Sequence, residues 1–191
     1  LLCNLTCAHC YSSSSPAEAV GLDPKDILHT TQQLRAYDVE TASISGGEPT
    51  VYHGLDPLCA GLHDQGYNLS IITNGILTQR AVDLSKNHHP DVIAVSFDGL
   101  APRHDLIRRR KGAFDRALTT LKALADAGQR TGVVLSFGEE GIEDLPDLLD
   151  TVVEAGAQRV QFHPVSKVGR GLTQAIVKAP SEATLLKVLV L

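Results

Sequence analysis

Three cysteines near the start of the chain are the residues whose type and spacing most directly suggest chemistry. Cys3, Cys7 and Cys10 lie within eight residues in a C-x3-C-x2-C arrangement. Thiolates are soft ligands that suit iron–sulfur clusters and zinc. Three thiolates on one loop can hold an iron–sulfur cube and leave one iron free for another ligand. A structural zinc site with His9 or a distant fourth ligand is the alternative, although zinc motifs usually combine two ligand pairs and no second pair follows here.

Four further segments carry groups that could bind a small polar molecule. They are Gly46-Gly47-Glu48-Pro49, Thr73-Asn74-Gly75, Ser96-Phe97-Asp98-Gly99 and His104-Asp105-Leu106-Ile107-Arg108. Glycine lets a ligand approach the backbone closely, a carboxylate suits an ammonium group, and arginine binds a carboxylate through paired N–H donors. Each segment also fits a plainer structure: a glycine-containing turn for the first three, and a solvated basic face for the run that begins at Arg108.

Short β-rich runs alternate with helical patterns along the chain. The predicted strands are Thr41–Ser45, Leu69–Thr73, Val92–Phe97, Gly132–Phe137 and Arg159–His163. The predicted helices are Pro24–Tyr37, Leu55–Gln65, Thr78–Asn87, Ala113–Ala127 and Glu143–Ala155. A clipped strand ending at Leu1-Leu2 would bring the strands to six. This alternation predicts parallel βαβ units, in either a doubly wound open sheet or a partial (β/α) barrel.

Both architectures place function at the carboxyl ends of the strands. The cysteine loop and the first three of the four segments each follow a predicted strand, and His104–Arg108 comes soon after the third of them. The last predicted strand leads into His163 and on to Gly169-Arg170-Gly171. We therefore expect these segments to gather at one rim of the sheet.

Composition narrows the function classes. The chain has 191 residues, 43% of them hydrophobic, a net charge of -5 and only 4% aromatic residues. A nucleic-acid binder usually presents a basic face with stacking rings, and no apolar run approaches the ~20 residues of a membrane span. Clustered cysteines without a secretion signal favour the reducing cytoplasm. The absence of Met and the abrupt ends predict that residues 1–191 are one core domain cut from a longer chain.

The cysteine loop with Tyr11 after it, together with Gly46-Gly47-Glu48-Pro49 after the next strand, resembles the radical S-adenosylmethionine (radical SAM) enzymes. More narrowly, the chain resembles the SPASM-type branch, which modifies ribosomally made peptides, matures sulfatases or builds cofactors such as pyrroloquinoline quinone and modified haems. The resemblance covers nearly the whole chain. It implies a partial (β/α)6 TIM-like barrel with parallel strands, the first of them clipped.

The resemblance also implies the cofactors and the residues that bind them. Cys3, Cys7 and Cys10 would hold a [4Fe–4S] cluster. SAM would be bound by Gly46, Gly47, Glu48, Pro49, Thr73, Asn74, Ser96, Asp98 and Arg108. Within that set, the Gly-Gly-Glu-Pro segment would receive the SAM amino group, Ser96 the ribose and Arg108 the carboxylate. No residue can be assigned a catalytic role in the hydrogen transfer itself.

The reaction implied is reductive cleavage of SAM to a 5′-deoxyadenosyl radical, which abstracts hydrogen from a peptide, a protein or a small cofactor precursor. A one-electron reductant of the flavodoxin or ferredoxin type would be the other partner, with neither nucleic acid nor membrane involved. Three rivals remain at this point: a zinc-stabilised scaffold, an electron-transfer iron–sulfur protein, and a degenerate family member that binds a peptide without catalysis.

Several residues are predicted to lie outside the chemistry or depart from the family pattern. Cys59 is expected in the core, His9 is expected to pack beside the cluster, and His88 and His89 are expected in a solvated loop. The strand that ends Val134-Leu135-Ser136-Phe137-Gly138 departs from the family pattern, because many relatives carry Asn or Lys there. The sequence stops before a C-terminal extension with auxiliary clusters could begin.

Overall fold

The computed structural model describes residues 1–18, 21–173 and 176–189. Its sheet has five strands: β1 (Thr41–Ile44), β2 (Asn68–Thr73), β3 (Val92–Phe97), β4 (Thr131–Phe137) and β5 (Arg159–Pro164). All neighbours are parallel and pair in sequence order from β1 to β5. A doubly wound sheet reverses its strand order at a switch point. The unbroken order therefore confirms the partial TIM-like barrel and excludes the doubly wound alternative.

Helices cover the outer face of this half-barrel. They are α1 (Pro24–Leu34), α2 (Leu55–Asp64), α3 (Thr78–His88), α4 (Ala101–Arg108), α5 (Ala113–Asp126), α6 (Leu145–Glu154) and α7 (Glu182–Leu189). All five predicted helices are present, with α1 ending in a 3-10 turn over Arg35–Tyr37. Helix α1 begins at Pro24, as predicted. The Asp23 carboxylate accepts the Lys25 N–H at 2.8 Å, and Pro24 occupies the first turn.

The clipped strand that was predicted to end at Leu1-Leu2 is represented by Leu2 alone. Leu2 makes only an isolated parallel bridge to Ser15, and its carbonyl accepts a hydrogen bond from the Glu48 N–H at 3.0 Å. The two residues before Cys3 are too few to form a ladder, so the described sheet has five strands rather than six. Helix α4 was not predicted, because Ala101–Arg108 is short and polar and has no apolar periodicity.

The hydrophobic core lies between the outer face of the sheet and the helices. Strands and helices contribute fully buried side chains to it, among them Ile71, Val95, Phe97, Val133, Leu135, Leu62, Leu84, Leu121, Leu124 and Val152. Cys59 is 0% exposed within this core, as predicted. His88 is not a solvated loop residue: it is the last residue of α3, and its ring is 2.7 Å from the Asp56 carboxylate.

The inner face of the half-barrel carries more polar residues than the outer face. Hydroxyl-bearing and other polar side chains line it from neighbouring strands, among them Ser43, Ser70, Ser96, Ser136, Gln161 and His163. Residues two apart along a strand share a face, so apolar residues such as Ile72, Ala94 and Val134 lie between these polar groups on the same inner wall. The hollow under the rim where the strands end is therefore lined by both polar and apolar groups. No helix in the described part of the chain is long and apolar enough to cross a membrane.

Candidate active site

A cavity of about 520 Å³ opens at the carboxyl ends of the strands. Ten of the twelve residues predicted for the site line it: Cys3, Cys7, Cys10, Gly46, Gly47, Glu48, Thr73, Asn74, Ser96 and Arg108. The other two, Pro49 and Asp98, are buried but do not line the cavity. Ser136 and His163 complete the wall from β4 and β5. Within the predicted set, Cys3 and Arg108 are about 100 residues apart in the sequence. The fold brings their segments together at one rim of the sheet.

The cysteine loop follows Leu2 and is fixed at several backbone positions. The Cys3 N–H donates to the Ser15 carbonyl at 3.2 Å, and the Ala8 N–H donates to the Ile107 carbonyl of α4 at 2.8 Å. A side chain at Gly47 would place its Cβ 1.8 Å from the Leu2 carbonyl oxygen. Only glycine therefore lets the start of the loop lie across the Gly-Gly-Glu turn.

The three thiols of the loop are unpaired and differ in their electrostatics. Burial raises the pKa of Cys7 to about 12 and raises the pKa of Cys3 as well. Burial also acts against ionisation of Cys10, but hydrogen bonds from Ser12 and from backbone groups outweigh it and lower the Cys10 pKa. A metal that binds here must displace protons from Cys3 and Cys7.

The donor set tests which kind of metal centre could fit. Within the described residues, no group of three or more His, Cys, Asp or Glu side chains converges closely enough to hold a single metal ion. A mononuclear zinc site consequently has no ligand set there. Three thiols spaced around a cavity suit a cube of iron and sulfide, because the cube distributes its ligands over separate iron atoms.

The Glu48 carboxylate, at the end of β1, is held entirely by neutral donors. Its Oε1 accepts hydrogen bonds from the Thr50 N–H at 3.1 Å, the Thr50 hydroxyl at 2.6 Å and the Thr73 hydroxyl at 2.7 Å. Its Oε2 accepts one hydrogen bond, from the Asn74 N–H at 2.7 Å. The group is 3% exposed and lines the cavity. Glu48 forms no ion pair within the described residues, and its Oε2 still has a free lone pair. Its carboxylate can therefore accept a positively charged ligand.

Asp98, at the end of β3, is a second buried carboxylate, and its partners are Arg108 and His9. Its Oδ2 accepts from the Arg108 Nε–H, and its Oδ1 lies 2.8 Å from the His9 Nε2 atom. Burial alone would raise the Asp98 pKa, but Arg108 and His9 hold it well below its usual range. The same carboxylate raises the Arg108 pKa against the effect of burial. Asp98 thereby joins the cysteine loop, through His9, to helix α4.

His104 completes the group around Asp98 as a neutral ring. Its Nδ1 accepts the Asp98 backbone N–H at 3.2 Å, so the ring proton belongs on Nε2. Burial lowers its pKa to about 4. The ring packs against Phe97 and Phe114, with centroid distances of 5.6 and 5.8 Å. These contacts seat α4 on the end of β3.

Asn74 connects the end of β2 to the first cysteine. Its Oδ1 accepts the Ile76 N–H at 3.0 Å, which fixes the orientation of the amide. Its Nδ2 donates to the Asn4 Oδ1 at 2.7 Å and lies 4.0 Å from the Cys3 sulfur. An amide donor beside a cysteine sulfur is suited to support a negatively charged thiolate.

Comparison with known proteins identifies the family. A sequence profile of the Radical SAM superfamily matches residues 2–152. The chain belongs to the radical SAM superfamily. Fe-coproporphyrin III synthase of Methanosarcina barkeri is 30% identical over 171 residues, which cover 88% of this chain and 43% of that protein. The antilisterial bacteriocin subtilosin biosynthesis protein AlbA of Bacillus subtilis is 32% identical over 173 residues, which cover 88% of this chain and 38% of AlbA.

A solved structure confirms the fold. SuiB of Streptococcus suis, bound to its precursor peptide SuiA, superposes with a TM-score of 0.82 at 22% identity, covering 98% of this chain and 42% of SuiB. The chain thus spans less than half the length of these radical SAM relatives. The relatives agree with the predicted SPASM-type branch, since they include peptide-modifying and tetrapyrrole enzymes.

Members of the radical SAM superfamily bind a [4Fe–4S] cluster and SAM, and the residues present fit both. The three thiols of the cysteine loop could serve as cluster ligands, and the cavity that they line also contains the Glu48 carboxylate, which forms no ion pair within the described residues. Gly46 and Gly47 also line the cavity, and the absence of a side chain at Gly47 leaves room for the start of the cysteine loop. Arg108 lines the same cavity and contributes a positive charge.

Sequence reasoning missed the residues that hold these groups in place. His9 was expected to pack beside the cluster, and the structure gives it a partner in Asp98. Arg170 was noted only as part of a glycine-containing segment, yet its guanidinium contacts the cysteine loop. The glycines on either side of Arg170 were the available signal, because they mark a close approach of two backbone segments.

Proposed function

We propose that this chain is the catalytic core of a radical SAM enzyme that cleaves SAM reductively and abstracts hydrogen from a peptide, protein or cofactor precursor. The observation that carries the proposal is the single cavity shared by the three free thiols of the cysteine loop, the Glu48 carboxylate and Arg108. When bound, the reduced cluster supplies the electron that splits SAM into methionine and a 5′-deoxyadenosyl radical.

The residues of the chain would bind and orient these groups. Cys3, Cys7 and Cys10 would hold three irons and leave the fourth for SAM. The Oε2 atom of Glu48 would accept the SAM ammonium group, for which its one unfilled lone pair is suited. Ser96, from β3, would contact the ribose.

The other proposed SAM-binding residues would act around this contact. Gly46 and Gly47 would make room for the methionine moiety, and Arg108 would face its carboxylate. Thr73 and Asn74 would act on Glu48, to which they already donate hydrogen bonds. Pro49 and Asp98, which lie behind the cavity wall, would act through Glu48 and Arg108.

The wider context of the reaction is also a proposal. We infer that residues 1–191 are the core domain of a longer protein, which the greater length of the relatives supports. A flavodoxin- or ferredoxin-type protein would deliver the electron. Four free thiols, three of them clustered, are consistent with a reducing cytoplasm. A peptide substrate is supported by the described roles of AlbA and of the SuiB complex, and a tetrapyrrole precursor by that of the coproporphyrin synthase.

The cysteines provide a matched test of the proposal. The full protein would be purified and reconstituted without oxygen, supplied with dithionite and SAM, and assayed for 5′-deoxyadenosine. We expect Cys7→Ala to reduce product to background, because it removes a cluster ligand. Cys59→Ala should retain cleavage, because Cys59 lies in the core at α2 and does not line the cavity.

Different results would contradict different parts of the proposal. If Cys7→Ala cleaved SAM as well as the wild type, Cys7 would not be a cluster ligand. A wild-type protein that holds a cluster but leaves SAM intact would favour the electron-transfer alternative, and one that holds zinc would favour the structural scaffold. A candidate substrate would be checked with deuterated peptides, since direct hydrogen abstraction must transfer deuterium into 5′-deoxyadenosine.

A further inference from the structure

The segment after β5 folds back onto the cysteine loop. Within its 3-10 turn (Gly169–Leu172), Arg170 makes three hydrogen bonds to carbonyls of that loop. Its backbone N–H donates to the Cys10 carbonyl at 3.0 Å, its Nε–H to the Cys7 carbonyl at 2.9 Å, and its Nη2 to the Ser14 carbonyl at 2.7 Å. One residue thus holds three points that span the second half of the loop.

The turn is shaped for this contact. Gly169 has a φ of +56°, and a Cβ at this position would lie 2.2 Å from the Tyr11 carbonyl oxygen and 2.5 Å from the Cys10 carbonyl oxygen. A side chain would therefore both strain the backbone and collide with the loop. Because the two backbones lie so close together, the Arg170 guanidinium reaches the carbonyls of both Cys7 and Ser14.

The loop is held by individual hydrogen bonds rather than by regular secondary structure. It contains no helix or strand, and its first half is held by Ser15 and by the Leu2–Glu48 hydrogen bond near β1. The Cys7 and Cys10 carbonyls accept turn hydrogen bonds from the Cys10 and Ser13 N–H groups, both at 3.3 Å. Arg170 adds a shorter hydrogen bond to each of these carbonyls and a third to the Ser14 carbonyl, which ties the conformation of the loop to the segment after β5.

We propose that Arg170 is a positioning residue that holds the Cys7–Ser14 backbone in the conformation required for cluster binding before the cluster arrives. The planar guanidinium is suited to this task, because its two N–H edges can reach two carbonyls in a fixed geometry, which the single ammonium of lysine cannot reproduce. The inference rests on the proposed function in one respect, namely that Cys3, Cys7 and Cys10 bind the cluster.

The first measurement uses the apoprotein. Arg170→Gln, Arg170→Lys and the control Arg116→Gln, an exposed position on α5, would be compared in the full protein by amide hydrogen exchange of residues 7–15. We expect about tenfold faster exchange in Arg170→Gln, as for the loss of roughly 1.5 kcal/mol of local hydrogen bonding. Arg170→Lys should be intermediate, and Arg116→Gln should match the wild type.

The second measurement follows the reconstituted cluster. The rate of iron loss to a chelator should rise about 10- to 100-fold in Arg170→Gln, the range found when residues that support metal ligands are removed. Both measurements are made without SAM, so a wild-type protein that failed to cleave SAM would contradict the proposed function and leave this test unaffected.

Three results would overturn the proposal. The first is a folded Arg170→Gln protein whose loop exchange and iron loss stay within twofold of the wild type. The second, which covers the case in which Arg170→Gln does not fold, is an Arg170→Lys protein that behaves like Arg116→Gln in both measurements. The third is a uniform rise in exchange across β2, β3 and α5, which would contradict a role specific to the loop.

Discussion

Two buried carboxylates at the ends of nearby strands have opposite surroundings. Glu48, after β1, accepts only neutral N–H and O–H donors and faces the cavity. Asp98, after β3, is paired with Arg108 and His9 and does not line the cavity. The negative charge of Glu48 remains available to a ligand, whereas the charge of Asp98 is neutralised within the protein. The Glu48 carboxylate is therefore suited to bind a ligand, whereas the Asp98 carboxylate is suited to hold Arg108 and His9 in place.

The largest effect is expected on stability at Asp98. Asp98→Asn would leave the buried Arg108 guanidinium without a counter-charge, which should lower the free energy of unfolding by about 3–5 kcal/mol. Urea unfolding at neutral pH would measure it. Asp126→Asn, at an exposed position on α5, is the control and should change stability little. A loss below about 1 kcal/mol at Asp98 would mean that the ion pair does not support the fold.

The stability of the protein should also depend on pH, because burial lowers the pKa of His104, which lies beside Asp98. Below pH 6.5 the unfolded chain protonates this residue, while the folded ring stays neutral until about pH 4. The stability that depends on the neutral ring is therefore present above pH 6.5 and is lost as the pH falls towards 4, by about 3 kcal/mol. In His104→Phe, which retains an aromatic ring beside Phe97 and Phe114, this part of the slope should disappear.

Stability curves of the two proteins between pH 7 and 4 would show the difference. Parallel curves would indicate that His104 ionises in the folded protein as readily as in the unfolded chain.

At Glu48 the expected effect is on ligand binding. Glu48→Gln removes the charge that faces the cavity, which should weaken SAM binding to the reconstituted protein about 10- to 150-fold, the equivalent of one charged hydrogen bond of roughly 1.5–3 kcal/mol. Glu143→Gln, in an exposed loop, is the control. Equilibrium binding of SAM would measure the change. If Glu48→Gln bound SAM with unchanged affinity, the Glu48 charge would not contribute to ligand binding, and the proposed difference between Glu48 and Asp98 would be wrong.

The sequence predicted the parts of the molecule that depend on local pattern. Val92–Phe97 is a strand with the predicted bounds, because a continuous apolar run buried on both faces is recognisable from its residues alone. The cysteine loop and the Gly-Gly-Glu segment were found in the same way, from residue type and spacing. Their meeting at one cavity followed from the rule that parallel strands present their carboxyl ends at one rim.

The residues that depend on long-range geometry could not be predicted. Pairing of Asp98 with Arg108 requires helix α4 to turn back onto β3, and Ala101–Arg108 has no periodic pattern that would reveal this helix. The role of His9 depends on the same carboxylate. Leu1-Leu2, predicted as the end of a clipped strand, shows only the isolated bridge from Leu2 to Ser15, because two residues carry too few backbone groups to form a ladder.

The hydrogen bond from Arg170 to the Cys7 carbonyl also sets an order of events during synthesis, because it joins residues 163 positions apart. A ribosome adds about 5–20 residues per second, so the cysteines emerge roughly ten to thirty seconds before their partner. During that interval the loop has no β5 turn to close upon, and its thiols are open to oxidation. The site for iron and sulfide is complete only after Arg170 has been synthesised. A nascent chain that stalls before Arg170 would carry reactive cysteines without a completed cluster site.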